Sequence, residues 1–551
     1  METSGMEVKH QKCAVLHGRR SGNNWYKNDK TGNIELHIQN SPLPMYSKDQ
    51  PYTYLGFSIN LSNTASTIQA TRVANDFKVT LRKIDAAPLP VTAKLQAINT
   101  MCSSRLNFYF SNLTFTEKCL DELEDEIVRH VRRWLQLNNS SNRDFMFCPR
   151  AEGGLGLMNP HTLYRAKHVS FMLSMLNSDD GQVRETARTS LRLHMEKRKV
   201  PLASRDDENT FAGFRTSTKG KIEKNSRVNW AKSDWIHLNE ICTREKVLLK
   251  KELGDEEFSL NIKMDEHVSI RTTDSSSAYT ILKRKKLSER ADAWREKHSQ
   301  GRIAREATAA DHKLSMAFLS NMKLRDNVVS FIIRGRLQLL QCNSLLATYY
   351  PLQYSKSCAL CKHPSDTASH ILNGCTKFQK LYQARHNRIV DLICQHVPCT
   401  ATREVIKDSV LSPELFHGSN TSFQTSSTRP DITIIDEENR DVLLTEIAVP
   451  FDSHIDQCYE QKFLKYLNLC QEISSLGYRC RVIVVVIGSL GTVHRRVVPG
   501  LHMMGVPRYS SKWLARYLST SAALGSFIAW QRRCSDMRST SGREAETPTG
   551  M

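Results

Sequence analysis

The sequence predicts a multidomain α/β protein. A helical domain and a helical linker take residues 61–345, a small metal-binding lobe follows, and the chain ends in a domain built on a central mixed sheet. Three observations predict this. Apolar residues recur three or four apart over residues 64–176 and again over 314–346, the period of helices with one buried face. Cys358, Cys361, His370 and Cys375 are spaced C-x2-C-x8-H-x4-C, which can close a tetrahedral zinc site. Runs of β-branched residues at 432–435 (ITII), 442–447 (VLLTEI) and 481–487 (RVIVVVI) surround one helix-period stretch, giving the order strand, strand, helix, strand. At 551 residues the chain is long enough for several domains rather than one core.

Composition narrows the partners. A formal net charge of +20 favours polyanions, because each Lys or Arg that neutralises a phosphate releases a counterion. The 15 cysteines are odd in number and scattered, which suits a reducing compartment rather than a secreted disulfide scaffold. The start, METSGMEVKHQK, has no apolar core of a signal peptide. The longest apolar run, residues 482–487, is too short to span a bilayer. The expectation is an intracellular protein, nuclear or cytoplasmic, with no membrane partner.

Taken in order, residues 1–50 are polar, with turn signals at SGNN and KTG, and residues 53–59 (TYLGFSI) read as a short strand. Over residues 64–138 the pattern is helical, with Leu120, Leu123, Ile127, Val131 and Leu135 on one buried face. PRAEGGLGLMNP at 149–160 is a glycine-rich turn before a helix at 164–176. Residues 177–312 are charged and weakly periodic. Asp179 and Asp180 sit in a turn, and the KRKK of 283–286, with Trp294 beyond it, reads as a solvated helix. A second amphipathic helix over 314–346 carries Phe318, Val328, Phe331, Ile332, Leu339 and Leu340. Residues 400–428 read as a Ser/Thr-rich loop, 511–533 as a terminal helix and 538–551 as a disordered tail.

The Cys358, Cys361, His370, Cys375 set has four ligands and no vacant position, so it predicts structural Zn2+ clamping a lobe too small to fold alone. His363, His386, Cys394, His396 and Cys399 lie near enough to exchange with the fourth ligand. The next helix, LYQARHNRI, offers Arg385, His386 and Asn387 to phosphate or a base, or merely to solvent opposite Leu381, Ile389 and Leu392.

Asp431 follows Pro430 at one end of the first β-branched run, and Glu446 lies in the second. Antiparallel pairing would bring the two carboxylates together, where they can share a hard oxygen-seeking ion such as Mg2+. That ion polarises a phosphodiester and activates water. A helix over 455–476 has the apolar stripe Ile455, Tyr459, Phe463, Tyr466, Cys470 and Ile473. Lys462 flanks this stripe and Lys465 follows on the same side, placed to stabilise phosphate charge or orient water. His494, Arg495 and Arg496, after the last strand, together with Arg429 are candidates for lining a nucleic-acid groove. Each residue alone has an ordinary structural reading. Together they suit metal-dependent phosphodiester cleavage.

The CCHC set, the ARHN after it, and RPD…TEIAVPFD…CYEQKFLKY resemble the carboxyl-terminal half of non-LTR retrotransposon polyproteins of the class with a restriction-enzyme-like endonuclease after the reverse transcriptase. Residues 9–16 and then YTYLGF at 52–57 resemble the last palm motifs of such polymerases, and 65–160, ending in RAEGGLGL, resemble their thumb. The resemblance implies a palm remnant over 1–60, a thumb-like helical domain over 61–176 and a basic helical linker over 177–345. It implies next a CCHC zinc module over 346–400, a PD-(D/E)XK restriction-like endonuclease over 401–537 and a tail over 538–551. In that family the endonuclease nicks target DNA, and the freed 3′ hydroxyl primes reverse transcription of the element RNA. Asp431 and Glu446 would be the metal-binding acids and Lys462 the catalytic lysine, with Lys465 as alternative. Two departures stand out: Glu446 occupies a position that is often aspartate, and Ala448 stands where many restriction enzymes have lysine. Paired palm aspartates before Tyr54 are also missing, so this chain alone is expected not to polymerise DNA and to be a truncated element or a piece of a longer protein. The contrasting expectation is a non-catalytic nucleic-acid-binding remnant.

Overall fold

The computed structural model describes residues 13–16, 19–21, 24–26, 36–38, 41–46, 49–60, 64–197, 234–251, 256–264, 267–416 and 429–544. Most of the polar start, part of the basic linker, residues 417–428 and residues 545–551 of the expected tail lie outside them. The chain divides into two compact units. The first takes Met1–Ala87, Ala97–Ile127 and Met158–Leu287; the second takes Pro88–Gln96, Val128–Leu157 and Ser288–Met551.

In the first unit, YTYLGFSI is a hairpin rather than one strand. β1 (Tyr52–Tyr54) pairs antiparallel with β2 (Phe57–Ile59) across Leu55-Gly56, where both φ angles are positive, as a two-residue hairpin turn requires. Helix α1 (Thr64–Ala86) follows, and α2 (Glu117–Trp134), which passes to the second unit at Val128, buries Leu120, Leu123, Ile127 and Val131, with Leu135 buried just past its end, the stripe the spacing predicts. Helix α3 (Pro160–Leu176) starts on Asn159, whose side chain accepts the Thr162 N–H, with proline at the first helical position. Tyr164 of α3 meets Phe110 and Phe115 edge-on at 5.2 and 5.7 Å, and all three rings are fully buried. Asp180 caps α4 (Gly181–Lys197) by accepting the Gln182 and Val183 N–H groups, a structural role for that acid.

The segment that carried weak periodicity holds helix α5 (Asp234–Glu245) and a three-stranded antiparallel sheet: β3 (Val247–Lys250), β4 (Ser259–Lys263) in the centre and β5 (Ser269–Thr272). Helix α6 (Ser275–Arg295) contains KRKK, and the expectation of a wholly solvated helix fails here. Lys285 is buried, with its ammonium on the Glu245 carbonyl. Lys286 reaches the Glu245 carboxylate at 2.7 Å, and Arg165 reaches it at 3.0 Å. Two cations around one buried acid neutralise it, which a charge run in the sequence does not reveal.

In the second unit the expected helix over 314–346 is broken into short pieces, chiefly α7 (Asp326–Arg336) and α8 (Asn343–Tyr349). Helix α9 (Gln379–Cys394) follows the cysteine-rich lobe. The sheet then has four strands in chain order: β6 (Arg403–Lys407), β7 (Ile432–Asp436), β8 (Asp441–Ala448) and β9 (Arg479–Val486). The first three form an antiparallel meander and β9 joins β8 in parallel, so the sheet is mixed as expected. β6 corrects the reading of 400–428 as loop throughout: the alternating REVIK adds an edge strand.

Strand alternation divides the core. Ile432, Ile434, Leu443, Ile447 and Val485 face α9, α12 (Val497–Met503) and α13 (Arg508–Glu544). Ile435, Val442 and Leu444 face Tyr466, Leu469 and Ile473. These last lie on α10 (Ile455–Lys465) and α11 (Leu467–Ser475) or at the junction between them. The expected single helix over 455–476 is thus two helices, parted at Tyr466, where ψ is 1°. The terminal helix continues through Glu544, so residues 538–544 are helical rather than tail.

Candidate functional site

The cysteine lobe gathers as its spacing predicts. One ligand atom from each of Cys358, Cys361, His370 and Cys375 lies within 4.8 Å of all the others. Among the described residues this is the one cluster of three or more His, Cys, Asp or Glu side chains so disposed. Lys362, at φ 64°, turns the chain sharply between the first pair and the rest, and its N–H bonds the Cys358 carbonyl at 2.9 Å. Cys361 Sγ and His370 Nε2 are 3.2 Å apart, and His363 stacks on His370 at 4.4 Å rather than joining the cluster. Burial pushes the Cys358 thiol up and the Cys375 thiol up to about 12. Cys361 is held below the usual thiol value: burial opposes this, but N–H groups of His363 and Thr376 and the neighbouring thiols outweigh it. Three soft sulfurs and one imidazole, with no oxygen donor, fit zinc, and a bound cation would deprotonate the thiols outright. The set can hold zinc.

The second site lies at one end of β7 and β8. The register ends with Ile432 against Thr445, so Asp431, one residue before β7, and Glu446, one residue past Thr445, both lie at this end of the pair. Glu446 falls on the sheet face that receives α10, with Val442 and Leu444, because side chains two apart share a face, while Asp431 stands at the bend before β7. Glu446 is 4% exposed. Its Oε1 accepts Lys462 Nζ at 2.5 Å and lies 3.7 Å from Lys465 Nζ, and its Oε2 accepts the Tyr466 hydroxyl at 2.5 Å. That hydroxyl also lies 2.7 Å from the Arg429 carbonyl and receives Lys465 Nζ at 3.0 Å. Burial alone would lower the Lys462 ammonium, but its hydrogen bond and charge contact with Glu446 raise it above the usual lysine value. Asp431 Oδ2 accepts the Ile447 N–H at 2.6 Å. The two carboxylates and the adjacent Ile447 carbonyl are hard oxygen donors of the kind Mg2+ takes, with water completing its shell.

The structure redistributes the residues expected to touch nucleic acid. Arg385 is 5% exposed; it donates to the Leu372 and Val449 carbonyls at 3.0 and 3.3 Å and to Ser526 Oγ at 2.6 Å. The nucleic-acid role expected for it is therefore corrected: Arg385 is a buried clamp between the lobe, β8 and α13. His386 points at the acids, its Nε2 3.4 Å from Asp431 Oδ2 and 3.1 Å from the Ile447 carbonyl. The hydrogen bond to Asp431 raises its imidazole above the usual histidine value, against the effect of burial. Asn387, Arg429, Arg495 and Arg496 are exposed. His494 is buried and stacks on Tyr459 at 4.4 Å, and burial lowers its imidazole to about 4, so it does not line a groove.

Two residues escaped the sequence reading. Tyr466 looked like one more member of an apolar stripe, and no glycine or proline announced the helix break that turns its hydroxyl onto Glu446. Asp452 is fully buried and accepts the Leu490 and Thr492 N–H groups at 2.7 and 3.0 Å, fixing the loop after β9. The nearby glycines, Gly488 and Gly491, were the available signal.

No family model matches the chain. A curated relative does: over 124 residues the chain is 27% identical to a "Retrovirus-related Pol polyprotein from type-1 retrotransposable element R2" of Popillia japonica. The likeness is to a retrotransposon polyprotein. It covers 22% of this chain and 25% of the relative, so the match spans about a quarter of that protein. This supports a retrotransposon polyprotein origin for the chain. No helix among the described residues is long and apolar enough to cross a membrane.

Proposed function

We propose that residues 401–537, within the second unit, are a metal-dependent DNA endonuclease of the PD-(D/E)XK, restriction-like kind, nicking target DNA for a non-LTR retrotransposon whose element RNA is then copied from the freed 3′ hydroxyl. The observation that supports this is Asp431 Oδ2 on the N–H of Ile447, the residue after Glu446, with Lys462 Nζ on the glutamate. The meander-then-parallel order of the four strands supports it, as do the likeness to a retrotransposon polyprotein and the net charge of +20. Asp431, Glu446 and the Ile447 carbonyl would hold Mg2+, which when bound supplies Lewis-acid polarisation of the scissile phosphodiester. Lys462 keeps a proton on Nζ beside the acids and offers positive charge to the phosphate as negative charge builds on it. Tyr466 fixes the Glu446 carboxylate, and His386 fixes Asp431. The zinc lobe has a structural part, and Asn387, Arg429, Arg495 and Arg496 are placed to meet the phosphate backbone.

The test is relaxation of supercoiled plasmid to nicked circle with Mg2+, comparing wild type with Asp431→Ala and Glu446→Ala, with zinc content and melting as folding controls. Nicking lost in both variants supports the proposal. Nicking that survives both overturns it. Salt-sensitive DNA binding without metal-stimulated nicking in wild type would instead favour a non-catalytic nucleic-acid-binding remnant.

A further inference from the structure

Helix α13 opens with a basic residue followed by an aromatic one, repeated every fourth position: Arg508-Tyr509, Lys512-Trp513, Arg516-Tyr517. Four residues are slightly more than one helical turn and advance the chain by about 6 Å. The six side chains therefore form one ladder along one side of the helix. All six are exposed, Tyr509 at 89%, Trp513 at 50% and Tyr517 at 39%. The opposite face supplies the core, burying Ser511, Leu514, Ala515, Leu518 and Ser519, while Trp513 also meets the His396 ring at 5.6 Å with half its surface still in water. Large aromatic rings left in water in a row mark an interaction surface rather than packing.

Charge says what covers it. No acid occurs from Arg508 to Ser535; Asp536 is the first on the helix. Among the described residues, the ion pairs of α13 are Arg532 with Asp536 and Arg533 with Asp366, and Arg508, Lys512 and Arg516 make none. Three unpaired cations standing between three aromatic rings complement a polyanion that also presents flat faces. Trp513 and Tyr517 are already stacked, 5.5 Å apart at 18°, so a further flat ring can extend the stack without reordering them. Duplex DNA keeps its base faces stacked inside, whereas an unpaired strand offers each base face and one phosphate per step.

We propose that the amino-terminal half of α13 is a binding platform for single-stranded nucleic acid, with bases on Tyr509, Trp513 and Tyr517 and phosphates on Arg508, Lys512 and Arg516. This site does not rest on the nicking reading, and its test runs without divalent metal.

The full-length chain, in EDTA, is titrated against fluorescently labelled oligo(dT) and oligo(U) of about 16 nucleotides, a length within single-strand site sizes. Binding is followed by anisotropy at several salt concentrations. Trp513→Ala should weaken binding by roughly tenfold with the salt slope kept, as expected for one lost base stack. The triple change Arg508→Gln, Lys512→Gln, Arg516→Gln should reduce the slope of log K against log salt by about 2, from about 0.7 per single-strand phosphate contact. The three basic positions are exposed, so the triple variant should melt as wild type, and Trp513→Ala, which also loses the His396 ring contact, is compared at a temperature where its melting curve shows it fully folded. Ultraviolet cross-links should map to Tyr509, Trp513 or Tyr517. Tighter binding of oligo(U) assigns the platform to RNA, and tighter binding of oligo(dT) assigns it to a DNA strand; either supports the site. Affinity and slope unchanged in both variants, cross-links confined to other regions, or an equal loss of duplex binding in Trp513→Ala would each overturn it.

Discussion

Replacing Tyr466 by phenylalanine removes a single oxygen from the fully buried junction between α10 and α11. The ring stays, so no cavity larger than that atom opens. The hydroxyl has one proton and two acceptors, the Arg429 carbonyl at 2.7 Å and Glu446 Oε2 at 2.5 Å. The charged and closer acceptor takes it. Burial, then the hydrogen bond and charge of Glu446, push the phenol well above its usual value, so it remains a donor at any pH the fold survives. The substitution removes one charge-assisted hydrogen bond to a carboxylate that is itself 4% exposed. A bond of that class contributes about 1.5–3 kcal/mol, and its loss leaves a buried acceptor short of a partner. Urea unfolding of Tyr466→Phe should therefore show a loss of about 2 kcal/mol with the denaturant slope unchanged. Nicking should fall with it, because Glu446 loses one of the two groups that orient it. A stability within about 0.5 kcal/mol of wild type, the size of an ordinary surface change, would refute the assignment of Tyr466 as the anchor of Glu446.

Lys462→Ala should lower nicking by about 10²–10³, the cost of removing one preorganised charge-stabilising donor, whereas Lys465→Ala, starting 3.7 Å from Glu446, should cost less than about tenfold; equal losses in single-turnover assays would contradict the geometry. Gly488→Ala would place a Cβ 2.4 Å from Asp452 Oδ1 and displace a carboxylate that holds two backbone N–H groups, for a loss of about 2–4 kcal/mol in urea unfolding. Cys375→Ala should abolish stoichiometric zinc in metal analysis of the purified chain, and full zinc retention would count against the quartet. Asp441 is held below the usual aspartate value, first by its hydrogen bond from Arg479 and then, against burial, by the charges of Arg481 and Arg479. Its stabilisation is complete above the unfolded value and is lost as pH falls through the lower folded one. Arg479 is 68% exposed, so the gap between wild type and Asp441→Asn should stay below about 1 kcal/mol at pH 7 and close in acid denaturation series.

Legibility in the sequence followed how locally each feature is encoded. The zinc quartet could be read because four chemically distinctive residues at fixed spacing suffice to state it. The β7 and β8 strands could be read from β-branching, and their antiparallel pairing with them. Arg385 was misread because a helix pattern shows which residues share a face but not that a carbonyl end and Ser526 of a distant helix wait to receive a guanidinium. Lys285 failed the same way, since its partner is a backbone carbonyl. The Tyr466 break carries no helix-breaking residue, so it is set by tertiary packing over local propensity. The sheet of β3 to β5 was missed because its strands are four or five residues long and set among charges, too short for periodicity to decide.

The carbonyl of Val449, three residues past Glu446, accepts both Asn373 Nδ2 at 2.6 Å and Arg385 at 3.3 Å. Asn373 lies between two members of the sulfur–imidazole quartet, so a single oxygen ties that lobe to the chain just past the strand that bears Glu446. Whatever loosens the lobe therefore also loosens the end of the strand on which Glu446 sits.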